Sequence, residues 1–163
     1  MKEPSILVVN TSPLIHLAEA GLLGLLQEAA ASIYVPEPVA REIRAYGEDD
    51  PTALALESCF WLEVKPVDAI ADEILSWNLG AGEPSVIALA RSSPGSMAII
   101  DDLAGLRCAE AFDLPLRGTV GLVLAAKQTG RVECARIVLE RLRDNGMYLS
   151  DAVLNRSLRW VGE

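Results

Sequence analysis

The stretch that most constrains the fold of this chain is Ile6-Leu7-Val8-Val9, which runs with no intervening loop into Asn10-Thr11-Ser12-Pro13. Four consecutive apolar residues, two of them β-branched, read as a short strand buried on both faces. Asn-Thr-Ser-Pro is helix-start chemistry: a capping side chain, then proline where a first-turn N–H needs no partner. A strand that turns at once into a helix sets its last polar residues at the carboxyl edge of a sheet, where open α/β sheets bind ligands. Asn10, Thr11 and Ser12 are therefore the first candidates for a site.

The same alternation continues down the chain. Helical patterns over 13–20 and 22–31 lead to a strand at 32–36, stopped by Pro36, and Glu37-Pro38 opens a third helix to about Tyr46. A loop over 47–51 and a short helix to Ser58 precede an edge-like strand over 61–67, in which apolar residues alternate with charge. Asp68 is the expected cap of a helix reaching Trp77, and the glycines and Pro84 of 80–84 start another that ends near Ser92. A buried strand over 97–100 ends in Asp101-Asp102, followed by a helix over 103–112 and a strand over 114–117. Helices over 119–129, 132–145 and 150–161 complete the pattern. Short apolar strands alternating with helices specify an α/β fold with a mainly parallel sheet. With no repeat, linker or low-complexity run, residues 1–163 read as one domain.

Composition supports this. Aromatics are only 5% of the chain against 51% hydrophobic residues overall, so the core must be built from Leu, Ala, Val and Ile. That favours helices packed on a sheet over a β-sandwich. The net charge of −9 argues against a generally basic nucleic-acid-binding surface. It leaves a nuclease open, because a site for divalent metal is itself acidic and the metal presents the positive charge to phosphate. Cys59, Cys108 and Cys134 have no metal-ligand spacing and read as free thiols in a reducing cytosol. Residues 6–26 are apolar but broken by Asn10, Pro13, His16 and Glu19, so a soluble cytoplasmic protein with no membrane segment is expected.

Acidic residues fall at the strand ends and first helical turns. Glu42 lies in the helix after the second strand, Glu83 opens a later helix, and Asp101 and Asp102 follow the strand at 97–100. In a right-handed parallel sheet these positions can converge with Asn10 at one edge. Clustered carboxylates repel unless neutralised, which points to hard cations such as Mg²⁺ or Mn²⁺. Each residue also has a structural reading: a solvated helix position for Glu42, a helix-dipole partner for Glu83, and a turn or cap for Asp101-Asp102. Thr119 can add a hydroxyl near the same edge. His16 has no catalytic partner at a recognisable spacing and reads as a residue at the core margin. Gly80-Ala81-Gly82 and Gly118-Thr119-Val120-Gly121 lack phosphate-loop spacing and read as tight turns.

Four segments in order carry a resemblance across nearly the whole chain: Val8-Val9-Asn10-Thr11-Ser12-Pro13-Leu14-Ile15, Val35-Pro36-Glu37-Pro38-Val39-Ala40-Arg41-Glu42-Ile43, Gly82-Glu83 leading into Ile87-Ala88-Leu89-Ala90, and Ile99-Ile100-Asp101-Asp102. Together they resemble the PIN-domain superfamily, and in particular its small prokaryotic members with a Gly-Thr-x-Gly turn before a long helix. The resemblance implies a three-layer α/β/α sandwich around a parallel sheet. It implies a metal-dependent endoribonuclease, often the toxin of a toxin–antitoxin pair, with an RNA substrate, an antitoxin protein partner and a tendency to form homodimers. The family's acidic positions carry over to Asn10, Glu42, Glu83, and Asp101 or Asp102, which would hold Mg²⁺ or Mn²⁺. Thr11 or Ser12 would assist by hydrogen-bonding a ligand, a water or a phosphate oxygen.

Asn10 departs from that pattern, which has an aspartate at this position. An amide oxygen can ligate a metal but brings no negative charge. Two readings follow: a ribonuclease with a neutral first ligand, and a PIN-like module that binds nucleic acid or protein without cutting. A small-molecule-binding α/β domain is the third, favoured if the four segments fail to meet at one sheet edge.

Overall fold

The structure is a computed structural model that describes residues 3–163. In chain order the elements are β1 (Ile6–Val9), α1 (Thr11–Glu19), α2 (Gly24–Ala29), β2 (Ser32–Pro36), α3 (Glu37–Arg44), α4 (Pro51–Ser58), β3 (Leu62–Lys65) and α5 (Asp72–Leu75). They continue with α6 (Gly82–Arg91), β4 (Ser96–Ile99), α7 (Leu103–Ala111), β5 (Leu116–Arg117), α8 (Thr119–Gln128), α9 (Ala135–Asp144) and α10 (Asp151–Trp160).

The five strands form one sheet in the order β3-β2-β1-β4-β5, with every neighbouring pair parallel. β1 lies at the centre, with Leu7 opposite Ile33 of β2 on one side and Met97 of β4 on the other. Val8 and Val9 point to opposite faces, yet both are fully buried, as are Ala98 and Ile99 beside them. Helices therefore cover both faces, and the fold is the expected α/β/α sandwich. A single cluster of buried residues runs from β1 to Leu158 of α10 and is dominated by Leu, Ile, Val and Ala.

Topology positions the edge that matters. The chain builds outward from β1 to β2 and β3, then crosses back to place β4 and β5 on the other side of β1. The winding direction reverses between β1 and β4. A crevice opens at such a reversal, beyond the carboxyl ends of the two strands. Here the strand ends carry Asn10 and Ile100-Asp101, and the Asn10 backbone N–H donates to Ile99 O at 3.0 Å across the junction.

Several boundaries differ from the sequence expectation, each for a local reason. The strand expected over 61–67 stops at Lys65, because Pro66 follows and can donate no ladder hydrogen bond. Asp68 does not cap a helix; 66–71 is irregular, and the helix is the single turn Asp72–Leu75, whose first turn holds the acidic Asp72 and Glu73. The strand expected over 114–117 is only Leu116–Arg117, although Pro115 O still accepts from the Ala98 N–H at 2.9 Å. The helix expected from 132 begins at Ala135, where the Glu163 carboxylate accepts from the N–H groups of Ala135 (2.7 Å) and Arg136 (2.9 Å). The three cysteines are free thiols. Among the described residues no helix is long and apolar enough to cross a membrane.

Candidate functional site

Asn10 occupies the N-cap position of α1 in extended conformation, but its side chain makes no capping hydrogen bond. Helix-start chemistry is present and put to another use. The Asn10 amide Nδ2 donates to Glu83 Oε1 at 3.1 Å, across a separation of 73 residues. Only the nitrogen end of the amide can face a carboxylate without repulsion, so Oδ1 must face the other way. It is buried and has no hydrogen-bond partner among the described residues. A buried orphan of this kind costs about 1–3 kcal/mol.

The neighbouring residue does the same for the second acid. Thr11, also buried, donates its hydroxyl to Glu42 Oε2 at 2.9 Å. The opening of α6 closes the group. A Cβ on Gly82 would sit 2.9 Å from Asn10 Oδ1, 3.3 Å from Glu42 Oε2 and 3.5 Å from Thr11 Oγ1. Gly82 is therefore no tight turn. It is a buried helical position whose missing side chain leaves oxygen-lined space among three elements. Gly105 plays a similar part on α7, where a Cβ would lie 3.1 Å from Glu83 Cγ and 2.9 Å from Ile100 Cγ2.

The two aspartates after β4 separate cleanly. Asp102 is turned away as the N-cap of α7 and accepts from the Gly105 N–H at 3.0 Å. Asp101 instead accepts from Thr119 twice, from its N–H at 2.7 Å on Oδ1 and from its hydroxyl at 2.7 Å on Oδ2. Thr119 is fully buried at the first turn of α8, and a Cβ on Gly118 would come within 3.0 Å of Asp101 Oδ1. Asp101 Oδ2 also lies 3.3 Å from His16 Nδ1 on α1. Burial by itself would raise the Asp101 carboxyl, but the His16 contact and the two Thr119 bonds outweigh it and hold Asp101 below the ordinary aspartate range. Ser12 is exposed and makes no side-chain hydrogen bond among the described residues.

The candidate residues thus fall into two groups: Asn10, Thr11, Glu42 and Glu83 about the starts of α1 and α6, and Asp101, Thr119 and His16 beyond β4. A family model described as a PIN domain matches residues 6–163. The chain belongs to the PIN-domain family. No curated protein matches it.

PIN domains generally use divalent metal ions, and the residues of this PIN domain fit one. The donors around Gly82 are all hard oxygens, as Mg²⁺ and Mn²⁺ require. One of them, Asn10 Oδ1, is buried and unpartnered. Among the described residues no three His, Cys, Asp or Glu side chains form a metal-holding group by themselves. A cation held here must draw on the Asn10 amide as well as carboxylates. Sequence reasoning set His16 aside because its partner lies 85 residues away. No local spacing signals such a pair; it follows only once β1 and β4 are known to be neighbours.

Proposed function

We propose that this PIN domain is a metal-dependent endoribonuclease that hydrolyses RNA phosphodiester bonds. The observation that carries the reading is the meeting of Asn10 Oδ1 and Glu42 Oε2 beside Gly82, with Asn10 Oδ1 buried and unsatisfied and Glu83 bonded to the nitrogen of the same amide. Asn10, Glu42 and Glu83 would hold one Mg²⁺ or Mn²⁺. When bound, such an ion lowers the pKa of a water and offsets charge developing on the phosphate. The chain's own residues do the positioning. Thr11 fixes the Glu42 carboxylate and Asn10 fixes that of Glu83, so neither acid must be reorganised as substrate arrives. Asp101, held by Thr119, keeps a negative charge facing His16 at the neighbouring strand end. Asp102 serves the helix.

The test is cleavage of structured RNAs in millimolar Mn²⁺ by the native protein and by Glu83→Gln. Cleavage lost in the variant supports the reading, and cleavage that survives it overturns the assignment of Glu83. One observation favours a second reading, a PIN module that binds without cutting: the neutral Asn10 amide turns its nitrogen to Glu83 and adds no negative charge that would attract a cation. Cleavage seen only after Asn10→Asp would establish that reading.

The motif resemblance to small prokaryotic PIN-like proteins supports a place as the toxin of a toxin–antitoxin pair in a reducing cytoplasm. The expected partner is a small basic or DNA-binding protein encoded next to this chain. Homodimers are part of the same proposal. Ile137 and Trp160 stand exposed on α9 and α10, and sedimentation of the Ile137→Asp variant tests that face.

A further inference from the structure

Beyond the acid cluster, a cavity of about 420 Å³ opens directly against Asp101 and His16. Its walls are apolar, from Leu106 of α7, Val120 of α8 and Val153 of α10, and the segment 146–150 between α9 and α10 closes its outer side. Tyr148 lies on that segment and is 91% exposed. Its neighbours on both sides, Met147 and Leu149, are buried, and the Met147 N–H donates to Leu142 O at 3.0 Å. The backbone is thus anchored on each side of the tyrosine, and the ring is held out into solvent at the cavity mouth. At the inner end, His16 is fixed through Nδ1, and its Nε2 has no hydrogen-bond partner among the described residues.

We propose that this cavity receives one unpaired nucleobase of the RNA strand, with Tyr148 as its stacking platform and His16 Nε2 facing the base edge. The inference rests on the nuclease reading and names the form of substrate. A largely apolar cavity with a few polar groups, His16 and Asp101 among them, suits a base better than a phosphate or a sugar. The overall charge points the same way. With a net charge of −9, and with Arg44, Lys65, Arg91, Lys127, Arg131, Arg136 and Arg143 in ion pairs with carboxylates, half of the fourteen lysines and arginines already face an acid and not a phosphate backbone. Base stacking adds affinity that does not depend on net positive charge. A base lodged here must be out of its helix, so single strands, loops and bulges are selected over duplex.

The experiment measures binding apart from cleavage. Single-stranded oligoribonucleotides with 2-aminopurine scanned along their length are titrated with protein in Ca²⁺, and affinity and fluorescence are both read. Native protein is expected to quench the probe at one position. Tyr148→Ala should weaken binding about 5- to 100-fold and abolish the quenching, while Tyr148→Phe should retain both. Val153→Phe, which fills the cavity from the opposite wall, should weaken binding with Tyr148 intact. Binding of Tyr148→Ala within twofold of native, or equal native affinity for a duplex of the same sequence, overturns the proposal. Failure of the nuclease reading is seen separately. If the native protein never cleaves in Mn²⁺ but still quenches through Tyr148, the base site stands and hydrolysis falls. If cleavage depends on Glu83 while Tyr148→Ala binds normally, the base site alone falls.

Discussion

At the scale of single residues, Asn10 sets the electrostatics of the site. Its Nδ2 lies 3.1 Å from Glu83 Oε1, so Asn10→Asp replaces a donor with a second carboxylate at contact distance. Two like charges so close cannot both be ionised without cost. The variant should melt below native in EDTA and above it in millimolar Mn²⁺, a reversal that thermal denaturation reads directly. Gly82→Ala should fail differently. Its Cβ would sit 2.9 Å from Asn10 Oδ1, and overpacking of that kind costs about 1–3 kcal/mol. We expect Tm to fall by several degrees and the stabilisation by Mn²⁺ to disappear. The placement of these residues on their elements was legible in the sequence: Asn10 and Asp101 follow strands, Glu42 lies in the helix after β2, and Glu83 opens a later helix. What each side chain does there was not. Asp101 and Asp102 are chemically identical neighbours, and only the closeness of α8 to β4 divides them into a partner for Thr119 and a cap for α7. Gly82 reads as a turn in sequence because a missing Cβ means nothing until the atoms it would strike are known.

Among the elements, the helix starts show how far local rules reach. Asp50 caps α4 from the residue before Pro51, accepting from the N–H groups of Thr52 (2.9 Å) and Ala53 (3.0 Å). Ser150 does the same for α10. By contrast, α9 takes its cap from Glu163, 28 residues beyond Ala135, so its true start could not be read locally. That carboxyl is held down at about 2 by the Arg136 and Ala135 N–H groups, and next by the Lys127 ammonium at 3.0 Å. A carboxyl lowered on folding stabilises the protein above its ordinary value of 4.5, and the contribution is lost as the pH falls toward the folded value. Glu163→Gln should therefore melt below native at pH 7, with the gap closing between about pH 4.5 and pH 2. A gap that persists unchanged at pH 2 would show that the cap acts through packing and not through charge.

For the molecule as a whole, charge and topology matter most. On the proposed reading, in which RNA is held through a metal and a base pocket, a chain at −9 should make few phosphate contacts of its own. Plotted as log affinity against log salt, single-strand binding should have a slope shallower than about −2, the value expected of roughly three neutralised phosphates. A steep slope would mean that a cationic track exists after all. The strand order β3-β2-β1-β4-β5 has a different kind of consequence. β1 is among the first segments made, but its second neighbour, β4, is not complete until Ile99, and the Thr119 that holds Asp101 follows later still. While the first ninety or so residues are emerging from a ribosome, Asn10 has no β4 beside it and α8 does not yet exist. The crevice between β1 and β4 cannot form before β4 has been made. Any chemistry that needs both groups of side chains is a property of a chain made past Thr119, and never of its N-terminal part alone.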